Sequence, residues 1–264
     1  MVLSVIMRRI AWIFFAALVF IGLCAFGLRV LAAPRKHTAT NQADAATLLA
    51  RATARTNIES PSSAPFVLFA KARYAVNQQS IEGTYALGWA APNLYREDLW
   101  YGKIHETIIV SGGKIYRAGQ DTPYANLWSR MIRRPLQWSL TTGARAKTRS
   151  QGEHYRSGAQ LTCIVAGAAG TDERICLDPN NYEPFSDNMT APSGKQSWTF
   201  AGYTSLAHAA SLSQRFPTAI TYKDDHGTSA ELDIQSIAAV SGFQPNEFTP
   251  PAGATAQDLP GKTQ

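Results

Sequence analysis

The stretch Thr162–Cys176, TCIVAGAAGTDERIC, holds two of the three cysteines in this 264-residue chain. Two thiols at this spacing could ligate a metal, cycle as a redox pair, or form a structural crosslink. A metal site needs further ligands of the right type close by, and the residues between Cys163 and Cys176 include no histidine. A redox dithiol needs close spacing at a helix start to depress one thiol pKa, and neither is visible. If Ala169–Gly170 forms the centre of a two-residue hairpin, pairing runs outward from 168 opposite 171 to Cys163 opposite Cys176. That is a non-hydrogen-bonded pair, with Cα atoms about 4.5 Å apart, inside the range of about 4.4–6.8 Å that a disulfide accepts. A structural Cys163–Cys176 disulfide is therefore expected, with no metal.

The other chemistry-bearing residues do not assemble into a catalytic set. The histidines are His37, His105, His154, His208 and His226. Asp224, Asp225 and His226 lie in DDHG, which reads as a turn between strands rather than as a ligand cluster. On a strand, successive side chains point to opposite faces, so His105 cannot act with Glu106, nor Glu97 with Asp98. The sequence contains no nucleophile elbow, no glycine-rich phosphate loop and no HExxH. The expectation is a non-enzymatic protein with no cofactor. The NMT at Asn188 is a glycosylation acceptor only in a eukaryotic secretory pathway.

Turning to the elements, the N-terminus reads as an export signal, with Arg8 and Arg9 before an uncharged apolar run from Ile10 to Leu28 and Arg29 after it. At 19 residues the run exceeds a signal-peptide core of about 7–15 and approaches the ~20 that span a bilayer. It is either cleaved, after Ala32, or retained as an inner-membrane anchor. Either outcome puts the bulk of the chain in the periplasm, where a disulfide persists. Cys24 follows Leu23, which makes it a poor lipidation site. The net charge of +6 falls to +3 without these three arginines, too weak a bias to expect nucleic acid as a partner. Residues 1–33 are thus assigned as signal peptide or anchor, 34–63 as a linker with a short helix over Asp44–Arg55, 64–250 as one domain, and 251–264 as a disordered Pro-, Gly- and Ala-rich tail.

From Pro65 the pattern has period two, with turn signals about every ten residues. FVLFAKARYAV, SIEGTYALGWA, NLYREDLWYG, KIHETIIVSGG and KIYRAG form a meander of neighbouring strands, which excludes a doubly wound parallel sheet. One strong helix follows, capped by Asp121 or Thr122, with Pro123 in its first turn. Tyr124, Leu127, Trp128, Met131 and Ile132 make its apolar stripe, and Arg130, Arg133 and Arg134 occupy the rest. After the basic stretch Arg145, Lys147 and Arg149, strands resume in AQLTCIVAG, ERICLD, QSWTFAGYTSL, TAITYK and AELDIQSIAAV. The fold class is mainly β (α+β). The tryptophans and aliphatic positions allow two arrangements: an ordinary filled core, or a strongly curved sheet enclosing an apolar cavity under the helix.

In order, GTYALGWAAPNLYREDL, ETIIVSGGKIYRAG, CIV…ICLDP, RFPTAITY…AELDIQSI and FQPNEFTPPAGA resemble the envelope domain of acidobacterial proteins labelled energy transducer TonB. That domain in turn resembles the LolA/LolB-like lipoprotein-carrier fold, and the similarity covers residues 64–254. It implies a curved antiparallel half-barrel of about eleven strands, with one or two helices covering the concave face. In the carriers that cavity holds the acyl chains of lipoproteins. The carrier's arginine and mobile helix, which govern release there, match no single position here. No Pro-rich spacer or C-terminal module of the TonB kind is present, so an energy-coupling role is not expected.

The first expectation is a periplasmic module that binds a lipid or acylated protein. Its cavity lining is Leu68, Tyr85, Leu87, Trp89, Leu99, Ile108 and Val110 from the sheet, with Trp128, Met131 and Ile132 from the helix. The helix would act as a lid that shifts at little cost, because one apolar contact replaces another. The alternative is an envelope protein–protein interaction domain of the TonB-associated type, tethered to the inner membrane, with a filled core. Its partners would be inner-membrane or envelope proteins, and Arg130, Arg133 and Arg134 its contact patch.

Overall fold

A computed structural model describes residues 42–259, apart from 78, 121, 137, 139–144, 155–159, 169 and 206–213, and gives backbone alone for 42, 43, 145–154 and 168. The expected signal or anchor over residues 10–28, and Cys24, lie outside the described residues. No helix among them is long and apolar enough to cross a membrane.

Helix α1 (Gln42–Thr56) begins the fold, and its first-turn Asp44 and last-turn Arg55 complement the helix dipole. Ala45, Leu49 and Ala52 recur at helical spacing and are fully buried, so this helix belongs to the core instead of a linker. The meander follows as β1 (Phe66–Val76), β2 (Gln79–Ala91), β3 (Leu94–Tyr101), β4 (Ile104–Ser111) and β5 (Lys114–Ala118). Helix α2 (Pro123–Arg133) comes next, with Pro123 in its first turn and Thr122 as N-cap, accepting from the Ala125 amide. The second half comprises β6 (Arg145–His154), β7 (Gln160–Ala168), β8 (Thr171–Leu177), β9 (Pro184–Ala191), β10 (Gly194–Ala201), the two-residue strands β11 (Thr204–Ser205) and β12 (Arg215–Phe216), β13 (Ala219–Asp224) and β14 (Thr228–Ala239). DDHG makes the β13–β14 turn, with Gly227 at a positive φ of 82°.

Thirteen strands form one sheet in the order β15-β5-β4-β3-β2-β1-β14-β13-β10-β9-β8-β7-β6, where β15 is Thr255–Asp258. All its pairings are antiparallel. The ends β15 and β6 do not pair with each other, so the sheet is an open, curved half-barrel with helices on one face. Two more strands join the sheet than expected. The basic stretch after α2 is strand β6, and residues 255–258, expected in a disordered tail, pair with β5 through their backbones.

Alternation sets which residues face the helices. Phe66, Leu68, Ala70 and Ala72 of β1 register with Trp89, Leu87, Tyr85 and Gly83 of β2, and with Ala239, Ile237, Ile234 and Leu232 of β14 on the other side. Nearly all are buried in the main core. A second cluster lies on the outer face, where Leu161, Cys163 and Cys176 pack with Phe185. Cys163 stands opposite Cys176 and Ala168 opposite Thr171, the register expected from a two-residue turn. The sulfurs are bonded, with the Cα atoms 4.0 Å apart. A single turn of 3₁₀ helix (Pro245–Phe248) packs on β3 and β4, where Arg96 donates to the Glu247 carbonyl at 3.3 Å.

Candidate functional site

The inner face is a band of apolar side chains between two walls that carry carboxylates. Counting inward positions on β3 through Leu99 brings Glu97 to the same face, and counting on β4 through Ile108 brings Glu106 there. Across the sheet, the register of β8, β9 and β10 places Glu173, Ile175, Asp187 and Trp198 inward. Glu97, Glu106 and Asp187 are buried, at 1%, 3% and 0% exposed. Buried carboxylates persist only when paired or hydrogen-bonded, and α2 supplies the partners.

At the N-terminal end of α2, the Thr122 hydroxyl donates to Glu106 Oε1 at 2.7 Å, and the Tyr101 hydroxyl donates to the same oxygen. Midway, Trp128 Nε1 donates to the Arg73 carbonyl at 3.3 Å. At the C-terminal end two adjacent arginines diverge. Arg133 Nη2 donates to Glu97 Oε1 at 2.6 Å, lies 3.6 Å from Glu59 Oε1, and its guanidinium stacks 4.3 Å above the Tyr95 ring. Arg134 pairs with Asp187 and, at 2.6 Å, with Glu173, and covers the Trp198 ring at 4.7 Å.

This divergence measures the curvature. β3 and β9 are six strand steps apart, about 29 Å in a flat sheet at ~4.8 Å per step. Neighbouring Cα atoms are only about 3.8 Å apart, and two arginine side chains cannot make up the difference. The sheet therefore curls until its two walls approach α2 from either side, and the helix lies in a trough.

The wall electrostatics follow from burial. Desolvation pushes the Asp187 carboxyl up to about 7, with Arg134 opposing the rise and Glu173 adding to it. Burial raises Glu59 too, against Arg133 and with the help of Glu97. On the outer face burial would raise Asp98, but hydrogen bonds from Arg96, Thr107 and His105 outweigh it and hold its carboxyl below the usual range. There His105 Nε2 lies 2.9 Å from Asp98 Oδ1, and its ring stacks on Trp100 at 4.9 Å. The outward His105 and inward Glu106 do diverge, as do Glu97 and Asp98.

All ten residues expected to line a cavity lie on the inner face or the α2 stripe and are at most 6% exposed. Leu68, Tyr85, Leu87, Trp89, Leu99, Trp128, Met131 and Ile132 are packed together in the main core. Ile108 and Val110 are buried outside that cluster, and Val110 borders a cleft of about 270 Å³ beside Glu59, Tyr95 and Arg133. The expected arginine contact patch needs correction, because Arg133 and Arg134 are committed to internal carboxylates and only Arg130 is exposed. The wall carboxylates Glu59, Glu97, Glu106, Glu173 and Asp187 are not among the site residues that the sequence singles out. For Glu97 and Glu106 the signal existed, since each shares strand parity with an apolar inward residue.

No protein-family model and no curated protein sequence matches the chain. Solved structures do. A putative outer membrane lipoprotein-sorting protein domain from Vibrio parahaemolyticus is 12% identical, covering 77% of this chain and 95% of that one, with a TM-score of 0.51. A DUF1329 family protein from Desulfovibrio piger is 8% identical, covering 79% and 98%, also at 0.51. A LolA superfamily protein from Nitrosomonas europaea is 11% identical over 77% and 96%, at a TM-score of 0.47. The fold is LolA-like. At these identities the likeness concerns architecture alone.

Proposed function

We propose that this chain is a non-enzymatic periplasmic module that binds an acyl chain or similar apolar ligand in the trough beneath α2. The observation that carries the reading is the division of labour on the inner face. Its centre is lined by aliphatic and aromatic side chains, and it is roofed by one helix whose apolar stripe packs on it and whose polar side chains fasten its two ends. A roof built this way lifts from one end. Raising its N-terminal end releases the Thr122–Glu106 bond and leaves both arginine pairs closed, so no buried charge is orphaned, while the ligand replaces the apolar contacts of the stripe. The fastenings make this lid stiffer than its apolar stripe alone implies. The disulfide and the export signal support a compartment outside the cytoplasm.

Extraction of the protein recovered from the cell envelope, followed by mass spectrometry, tests the reading. Lipid at about one equivalent is expected, as is saturable binding of a fluorescent fatty acid. A lipid-free protein that also fails to bind the fatty acid overturns it. The close packing of eight of the ten lining residues favours a second reading, an interaction domain with a filled core that docks other envelope proteins. That reading predicts the lipid-free result.

A further inference from the structure

Four polar atoms without hydrogen-bond partners gather around the Arg133–Glu97 pair on the inner face. They are the Tyr85 hydroxyl, Glu97 Oε2, Glu59 Oε1 and Arg133 Nη1, each buried. Tyr85 is 0% and Glu97 1% exposed. The register Leu87↔Glu97 and Tyr85↔Leu99 makes Tyr85 and Glu97 diagonal neighbours on the inner face. Arg133 joins Glu97 to Glu59, at 2.6 and 3.6 Å. Burial first, and then the Glu97 charge, raise the Tyr85 hydroxyl well above its ordinary pKa, so it stays protonated. Native interiors pair nearly all such groups, so four in one neighbourhood mark a place that a guest completes.

The adjoining cleft, about 270 Å³ and bordered by Glu59, Tyr95, Val110, Arg133 and Leu136, is too small for a whole lipid and large enough for a head group. Its chemistry selects the head. Two carboxylates face one guanidinium, and Arg117, the next cation, is bonded to Asn126 at 3.2 Å. Two of the open atoms, Glu97 Oε2 and Glu59 Oε1, accept, Arg133 Nη1 donates and the Tyr85 hydroxyl does both. A guest group that both donates and accepts, as a hydroxyl does, completes them, and the two carboxylates against one guanidinium disfavour a negative charge.

We propose that Tyr85, Glu97, Glu59 and Arg133 form a polar subsite that takes the uncharged, hydroxyl-bearing head of an amphiphile whose chain lies along the trough. This inference rests on the trough binding an apolar chain, as proposed above. Three probes with one oleoyl chain separate the two ideas: 1-monoolein, methyl oleate and oleate, each competing against a fluorescent fatty acid on the full chain. Monoolein is expected to bind about tenfold more tightly than methyl oleate, the equivalent of one or two hydrogen bonds, and oleate more weakly than methyl oleate. Tyr85→Phe, which removes one oxygen and keeps the shape, is expected to narrow the gap, and Glu97→Gln provides an independent second variant. Equal affinities, or a gap that survives both variants, overturn the subsite and leave the trough standing. Failure of all three probes to bind overturns both.

Discussion

Arg133 and Arg134 sit on one turn of α2 and serve opposite walls of the trough, so their substitution should not behave like that of surface arginines. Removing Arg133 leaves Glu97, 1% exposed, without its cation. Arg133→Ala should cost about 3 kcal/mol in denaturant unfolding, near the low end for a broken buried pair, because the arginine side chain is itself 27% exposed. Arg130→Ala should stay within about 0.5 kcal/mol. Asp187 supplies a pH signature. Its carboxyl rises from an ordinary 3.8 to about 7 in the folded protein, so the folded state holds the proton more tightly than the unfolded one. Its contribution is fully present below the unfolded value and is lost as pH rises through about 7. Unfolding midpoints should therefore fall between about pH 4 and pH 7, and Asp187→Asn should flatten that slope, matching the parent near pH 4 and gaining on it by pH 7. A slope unchanged in the variant would assign the pH dependence elsewhere. Sequence alone reads the arginines as a contact patch because a helical wheel shows which side chains leave the stripe, but not that two walls rise to meet them.

Among the elements, α2 and most strands are legible from period and caps. The stripe, Thr122 and Pro123 specify the helix locally, and β1 spans the apolar-alternating run FVLFAKARYAV. The strands that escape do so for physical reasons. β9 places Asp187 inward where an apolar residue is the usual signal, and the four residues of β15 are all exposed and held by backbone pairing to β5. The disulfide follows from counting register, because a two-residue turn fixes every later pair. It closes a short loop on the outer face, away from the trough. Reduction should lower stability by at most about 3 kcal/mol and leave ligand affinity unchanged; loss of binding on reduction, with the fold retained, would tie the crosslink to the site.

For the molecule as a whole, alternation specifies which residues face inward but not how far the sheet bends. Bending depends on irregularities such as those between Phe69 and Ala70, Trp89 and Ala91, and Cys176 and Leu177, which add a residue to one strand and increase local twist. This is why the inward facing of the apolar residues is legible in the sequence, whereas the walls and their ion pairs emerge only from the curled sheet. The curl also sets α2 against the central strands β13 and β14, so a chain that enters there must move it. Hydrogen exchange across α2, with and without saturating 1-monoolein, measures that step directly. The account predicts that amides of residues 125–130 lose protection when the ligand binds, while those of β1 and β2 keep theirs. Ligand binding that leaves α2 protection unchanged or higher would contradict it.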